Sequence, residues 1–392
     1  MKILCFDLLY FDDARNLGIR NYFVNRKHKD LKFSFYGPFS GNKKAREKLR
    51  RKSKNKLVFL KYQTIGPIYN YHPRIFFDIA FKRYDLIIAI NLASFSTICA
   101  LFIGHFIRKK PYIVNCENWY LRKNTVLNWL YKLVVKHALM IGAQSKKSYK
   151  FMIKEMKKPK KDVALAFNEI KDLAKCEYNS ELYKKLKREN EGKIIIVSTA
   201  KFVEVKGHDN LIQIFKSISD ENLRLFIIGD FNTSYGKKCE KLASEDKRIS
   251  FIGIIPFGDV IAYEKVADIF ALSNKFTSDK FEGAESYGYA PLEAMHLELP
   301  CVLTTATGCA DDIVVEGKTG FQIEAGNNGK FKEKLEFLIN NPEIRLKMGR
   351  TARKHVLRAL KPEKAVKNYV EIFNKKIKLV IKQKLSKSQK TS

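Results

Sequence analysis

The chain has 392 residues, 45% of them hydrophobic, and 74 Lys and Arg against 41 Asp and Glu, a formal charge of +33. That length and apolar content suffice for two domains with sizeable cores and exclude a chain too small or too polar to fold. The charge is uneven: residues 1–190 hold 41 basic and 15 acidic side chains, an excess of +26, against +7 for the remainder, so a polyanion is favoured as partner, either nucleic acid or an anionic membrane.

MKILCF reads as a first strand, and Asp7, Asp12 and Asp13 interrupt the start, so no secretory signal is expected. Short apolar runs then alternate with helical patterns, the sign of a parallel α/β sheet, with candidate strands at 2–8, 32–36, 57–61, 86–90, 112–116, 138–143 and 163–167. Segment 43–56 holds nine basic residues and one acidic, and segment 146–161 holds eight and one. Each reads either as a solvated helix face or, with Phe151, Met152 and Met156 interleaved in the second, as a membrane-surface contact. Residues 86–107 carry no charge except at His105, long enough to cross a bilayer. The preferred reading is a buried strand, a polar break at 91–96 and a core-facing helix. His72, His105 and His137 are read as structural. The seven scattered cysteines lack C-x-x-C and zinc spacing and read as free thiols in a reducing compartment.

AFNEI (166–170) closes the first domain, taken as 1–175, and the polar, Lys/Glu-rich stretch 171–192 reads as a linker with its helix. The second domain is taken as 190–361, with strands at 193–199, 223–229, 249–252, 268–272 and 300–304. A last helix, 362–384, carries Val366, Val370, Phe373, Ile377 and Val380/Ile381 at helical spacing, and 385–392 reads as a disordered basic tail. Within the second domain, SDKFEGAESYGYAPLEAMH (278–296) places Glu285 in a loop and Glu293 in the first turn of a helix begun by Pro291. Such a junction, with unpaired N–H groups and a positive dipole end, suits phosphate, and two carboxylates beside it suit sugar hydroxyls. The plainer reading of the bare spacing is a loop–helix junction with Glu293 stabilising the dipole. GKTG (317–320) imitates part of a P-loop, but Asp312 stands where the first glycine belongs.

ESYGYAPLEAM, LPCVLTT and TGCADDIVVEGKTGF, with VSTAKFVEVKGHDNLIQIF, LRLFIIGD and RISFIGIIP upstream, resemble in order the C-terminal signature of retaining glycosyltransferases of family 4, over residues 194–360. The resemblance implies an α/β chain of the GT-B fold, two facing Rossmann-like domains with a nucleotide-sugar site in the cleft and a final helix that crosses back to the N-terminal domain. It implies a nucleoside-diphosphate sugar, UDP- or GDP-linked, as co-substrate, and a lipid-linked or cell-surface glycan acceptor held by the N-terminal domain. Glu285 then binds donor-sugar hydroxyls, Glu293 the ribose, and the backbone at Tyr287, Gly288 and Tyr289 faces the diphosphate and sugar. Retention in this fold is described as front-face attack, with the leaving phosphate taking the acceptor's proton.

The leaving group gathers negative charge, which needs fixed cations or dipoles. The sequence contains no Asp-x-Asp, so no cofactor or metal is expected. Lys201 and Lys206 flank a turn after the strand 193–199, at the sheet edge where α/β ligands bind, and Gly207 lets the backbone approach. Lys201 stands where the family usually has Arg, keeping charge and losing bidentate geometry. The N-terminal resemblance is looser: the usual paired glycines are absent, DLLYFDDARNLGIR offers only Gly18, and Glu117 in ENWYLRK follows strand 112–116 as a candidate sugar or acceptor contact. A loop glutamate is the plainer reading of Glu117. Gly308-Cys309 replaces the family's Gly-Gly pair, and GDF at 229–231 a more glycine-rich turn. The expectation is a cytoplasmic enzyme, peripheral at the inner face of the cell membrane. A nucleotide-sugar 2-epimerase of similar fold is the alternative, though such enzymes lack the paired glutamates and the Lys-Gly pattern. A basic nucleic-acid binder rests on charge alone, with no motif to support it, so no nucleic acid is expected as partner.

Overall fold

KILCF in β1 (Lys2–Phe6) is apolar at successive positions because a central parallel strand is covered on both faces. In the computed structural model, which describes residues 1–6, 30–38, 47, 51, 55–65, 68–121, 125–167, 170, 172–277 and 283–389, this strand lies within a sheet of seven. Its companions are β2 (Lys32–Gly37), β3 (Lys56–Phe59), β6 (Leu86–Ile90), β7 (Tyr112–Cys116), β8 (Met140–Ala143) and β9 (Val163–Leu165). The order is β3-β2-β1-β6-β7-β8-β9, every pairing parallel. The chain thus reverses direction across the sheet between β1 and β6, the switch point at which such sheets open a crevice. A short hairpin of β4 (Gln63–Ile65) and β5 (Ile68–Tyr71), absent from the sequence reading, stands apart from it.

The chain divides into two compact units, residues 1–170 with 360–392, and residues 171–359. The last helix, Lys367–Gln389, belongs to the first because its apolar stripe completes that unit's core. Tyr369, Phe373 and Ile377 are buried with Ile3, Cys5 and Phe35 under the sheet. Polar contacts fix the register: Asn368 accepts from the Leu165 N–H at 2.8 Å, Lys376 pairs with Asp162, and Lys384 Nζ reaches Asp85 at 2.8 Å. The helix continues to Gln389, so the stretch expected as a disordered tail from 385 is helical for most of its length.

The residues 86–107 form β6, the helix Phe95–Cys99 capped by Ser94, and a π-helical turn Ala100–Ile107. Among the described residues no helix is long and apolar enough to cross a membrane. The expected core-facing helix is only half so. Ala100, Leu101 and Gly104 are buried, with Gly104 packed so closely on Ile87 that a Cβ would sit 2.7 Å from its Cδ1, while Phe102, Phe106 and Ile107 face outward. The reading of Phe151 and Met152 as membrane-facing is corrected. In the helix Lys146–Lys154 both are buried in the first core, where an apolar stripe gains more than at an interface, and the lysines alone face solvent. Most of segment 43–56 lies outside the described residues. His72 caps the helix Pro73–Phe81, its Nδ1 accepting from the Arg74 N–H at 3.1 Å, and the rings of His105 and His137 lie 5.0 Å apart.

The second unit holds a parallel sheet of six, ordered β12-β11-β10-β13-β14-β15. These are β10 (Ile194–Thr199), β11 (Leu223–Ile228), β12 (Ile249–Gly253), β13 (Ile269–Leu272), β14 (Cys301–Thr304) and β15 (Gly320–Ile323). The sequence reading missed β15. The GKTG turn leads into it, with the Thr319 hydroxyl donating to the Ile313 carbonyl at 3.0 Å, so it is a structural turn. The stretch expected as a linker is built into this unit: Arg353 grips both oxygens of Asp172 at 2.9 Å, and the helix Ser180–Glu189 packs on Phe257–Val266. All seven cysteines are free thiols.

Candidate active site

At the C-terminal edge of the second sheet, β10 ends at Thr199 and the chain turns through a short 3-10 segment, Glu204–Lys206, to Gly207 and the helix His208–Lys216. Gly207 is left-handed (φ 66), and a Cβ there would lie 2.0 Å from the Ser273 carbonyl. Only glycine combines that conformation with that approach. The Ser273 hydroxyl donates to the Gly207 carbonyl at 2.6 Å, tying this turn to the loop after β13. The helix start is anchored by Asp209, which accepts from the Tyr235 hydroxyl at 2.7 Å and from Lys275 Nζ at 2.8 Å. Those donors hold the Asp209 carboxyl below its usual range against the opposing effect of burial, the largest single influence.

The loop 283–289 and the helix Ala290–His296 form the other wall. Pro291 stands at the helix start and Glu293 in the first turn, as the local pattern predicts. Gly288 is left-handed (φ 85), and a Cβ there would lie 3.3 Å from Glu285 Cγ. The Cys309 N–H donates to the Tyr287 carbonyl at 2.7 Å, and Gly308 lies so close to Ser286 that a Cβ would sit 2.1 Å from its carbonyl oxygen. Glycine at 308 is therefore what the approach requires, and Cys309 fits beside it as a buried thiol. Tyr287 and Gly288 are buried, backbone included, and of the three positions expected to face a ligand Tyr289 is the partly exposed one.

These walls bring two sequence candidates together. Lys206 Nζ forms an ion pair with Glu285 Oε2, each side chain mostly shielded. Lys201 is exposed at the rim of the same turn. Glu293 is half-buried one helical turn beyond Tyr289, whose carbonyl accepts from its N–H at 3.0 Å. Glu117 follows β7 in the first unit, half-buried, where its charge acts on Cys116. Gly18 lies outside the described residues. Among those residues no cluster of three His, Cys, Asp or Glu side chains is placed to hold a metal ion.

Three side chains were not singled out by sequence. His208 is fully buried against Phe202, ring centroids 4.4 Å apart, and burial followed by the Lys206 charge pushes its pKa down to about 4. Asn274, after β13, is fully buried with both side-chain polar atoms unpaired. Glu264, on the helix Phe257–Val266, is also fully buried. It accepts from the Thr199 hydroxyl at 2.9 Å through Oε1, while Oε2 has no partner. Burial first, then the charge of Glu293, pushes its pKa up to about 8, against the lowering effect of Thr199. The signal for Glu264 in the sequence was its place three positions after Ile261, on the side of the helix Phe257–Val266 that is buried.

Residues 179–355 match the family model described as Glycosyl transferases group 1. The capsular polysaccharide biosynthesis glycosyltransferase CapM of Staphylococcus aureus is 32% identical over 179 residues, 45% of this chain and 44% of that protein. The N-acetyl-alpha-D-glucosaminyl L-malate synthase of Bacillus anthracis is 28% identical over 225 residues, 56% of this chain and 55% of that protein. The chain thus spans about half the length of these curated relatives. The solved structure of Anabaena Alr3699/HepE in complex with UDP-glucose superposes with a TM-score of 0.69 over 96% of this chain and 100% of that one, at 16% identity. At that identity the likeness shows the fold, two Rossmann-like domains of the GT-B class.

Proposed function

We propose that this protein, whose residues 179–355 match the Glycosyl transferases group 1 model, is a retaining glycosyltransferase. It moves a sugar from a UDP- or GDP-linked donor to a lipid-linked or cell-surface glycan in polysaccharide or glycoconjugate assembly. The observation that carries this reading is the pairing of Lys206 with Glu285 beside Gly207 and the Glu293 turn. It sets a cation, a backbone approach and two carboxylates on one sheet edge. Relatives of related name or fold, one holding UDP-glucose, support it.

On this reading the donor's diphosphate lies over Gly207, and Lys206, with Lys201 at the rim, offsets the charge that grows as the bond from anomeric carbon to phosphate oxygen breaks. The Lys206 contact orients Glu285, whose carboxylate receives donor-sugar hydroxyls. Glu293 accepts from the ribose hydroxyls. The acceptor hydroxyl attacks the anomeric carbon and its proton passes to the leaving phosphate, so the products are a glycoside and a nucleoside diphosphate. The cations are side chains, and no metal ion takes part. A thermal-shift panel of UDP, GDP, ADP and CDP tests the donor site: a ligand at ~100 times its dissociation constant adds about 2.7 kcal/mol of stability. Transfer that persists in excess EDTA supports the metal-free reading; transfer that vanishes and returns with manganese overturns it.

The reading places the enzyme at the inner membrane face. Its support is the exposure, on the first unit, of Phe76, Phe77 and Phe81 of the helix Pro73–Phe81 and of Phe102, Phe106 and Ile107 of the π-helical turn that packs on that helix. Phe81 is 75% and Ile107 71% exposed. Arg74, Lys82, Arg83, Arg108, Lys109 and Lys110 flank them in sequence. Aromatic side chains bordered by cations suit the headgroup layer of an anionic bilayer.

A further inference from the structure

The helix Ala290–His296 carries Glu293 in its first turn, and its other end is held by a polar cluster that the donor reading does not use. His296, one turn after Glu293, is 4% exposed. Its Nδ1 accepts from the Leu173 N–H at 3.3 Å, which leaves the proton of the neutral ring on Nε2. Its carbonyl accepts from Arg353 Nη1, and Arg353 grips both oxygens of Asp172 at 2.9 Å. Arg353 Nε lies 3.9 Å from the carboxylate of Glu298, a residue held in the left-handed region (φ 66) where the chain turns out of the helix. Asp172 and Leu173 stand where the chain enters the second unit, and Arg353 lies on that unit's last helix, Pro342–Ala359. Both segments pack on the helix Ala290–His296.

A helix end leaves carbonyls without partners, and the dipole favours a cation there. Here the Ala294 carbonyl accepts from the Leu297 and Leu299 N–H groups at 2.9 and 3.1 Å, that of Met295 from the Glu298 N–H at 3.2 Å, and that of His296 from Arg353. The short 3-10 segment Leu173–Lys175 has the complementary need. Asp172 caps it by accepting from the Ala174 N–H at 3.2 Å, and the N–H of the buried Leu173 goes to His296. Leucine or methionine would fill the volume of the imidazole; what the imidazole adds is an acceptor with a direction. Leu292 and Met295 hold the helix to the core by apolar burial, which has no preferred direction. The hydrogen bonds at His296 set where the helix stands along its axis, and one helical turn carries that setting to Glu293.

We propose that His296 is a positioning residue for the donor site: by accepting from Leu173 and Arg353 it holds the helix Ala290–His296 at the place where Glu293 meets the ribose. The inference rests on the reading of Glu293 as the ribose ligand. His296 itself makes no contact with the nucleotide; its effect reaches the site through Glu293, so it vanishes when Glu293 can no longer bind as a carboxylate.

The test is calorimetry of the full chain with the nucleoside diphosphate selected by the thermal-shift panel, for each variant with Glu293 intact and again with Glu293→Gln. His296→Leu keeps the bulk and removes the acceptor, and affinity is expected to fall about tenfold, the scale of one buried donor left unpaired. His296→Asn, whose side-chain oxygen can stand in for Nδ1, restores most of that loss. With Glu293→Gln already present, His296→Leu is expected to add no more than about twofold, because the group it positions is gone. Arg353→Lys keeps the charge but loses the fork that spans Asp172 and the His296 carbonyl. It weakens affinity in the same Glu293-dependent way, which keeps the inference testable if His296→Leu does not fold. Unchanged affinity in the folded variants, a His296→Asn protein as weak as His296→Leu, or losses that add in full to that of Glu293→Gln overturn it. Glu293→Gln alone separates the two layers: unchanged affinity in that variant removes the ribose reading and this inference together. Weakened affinity there, with a fully additive loss in His296→Leu, removes this inference alone. A chain that binds no nucleoside diphosphate removes both.

Discussion

Lys206 Nζ and Glu285 Oε2 form an ion pair that joins the turn after β10 to the loop before the helix Ala290–His296. Each group limits where the other can point, so on the proposed reading the pair sets a cation and an acceptor carboxylate in place ahead of the donor. Preorganisation of this kind avoids reorganisation during bond cleavage.

Loss of Lys206 should therefore be felt in turnover more than in affinity. Lys206→Ala is expected to lower kcat by about 10²-fold, the scale of removing one charge-stabilising donor. Steady-state kinetics with the cognate donor checks this. A change confined to KM assigns Lys206 to ground-state binding instead.

Glu293→Gln should act in the opposite way, on nucleotide binding itself. A hydrogen bond to a charged group is worth roughly 1.5–3 kcal/mol. Calorimetry with the nucleoside diphosphate is expected to show a loss of that size in a variant that melts like wild type. Unchanged affinity leaves Glu293 as a helix-start residue.

Stability should depend on pH through two buried groups of the second unit. The Glu264 carboxyl is raised by burial to about 8, so the folded state holds more protons than the unfolded one between about pH 4.5 and 8, and stability falls as pH rises through that window. The His208 imidazole is lowered by burial to about 4, so its contribution is lost as pH falls from about 6.5 through 4. The two slopes oppose each other between about pH 4.5 and 6.5, and above that Glu264 acts alone. Urea melts should show Glu264→Gln gaining on wild type between about pH 6.5 and 8. Parallel curves for the two proteins contradict this.

The outward aromatic face gives a vesicle prediction. Wild type is expected to sediment with anionic vesicles at low salt and to leave them at high salt, because the attraction fades within about 8 Å at physiological ionic strength. Replacing Phe77, Phe81 and Ile107 by Ser should weaken the association while nucleotide affinity is retained. Replacing the lysines of 146–161 by Gln should weaken it through charge alone, since Phe151 and Met152 are in the core. No sedimentation of wild type at low salt excludes the peripheral reading.

The alternating apolar runs made the parallel sheets legible, since buried parallel strands need continuous hydrophobic side chains whatever surrounds them. The Pro291 helix start with Glu293 in its first turn was equally legible, being set by neighbours along the chain. Strand ends were less so, and β15 was missed because its four residues, GFQI, include only two strongly apolar side chains.

What the sequence by itself determined is local: the strand and helix periods, the glycine at 207, and the spacing of Glu285 and Glu293 along one loop–helix junction. What the tertiary structure decided depends on residues distant in the chain. It buried Phe151 and Met152 and left Phe77 and Phe81 outside. It drew the last helix onto the first sheet, joined Lys206 to Glu285, and buried Glu264 against the Thr199 hydroxyl. Periodicity tells which face of an element is apolar, but which element covers that face, and which charge a buried acid meets, are settled only when the packed layers exclude water.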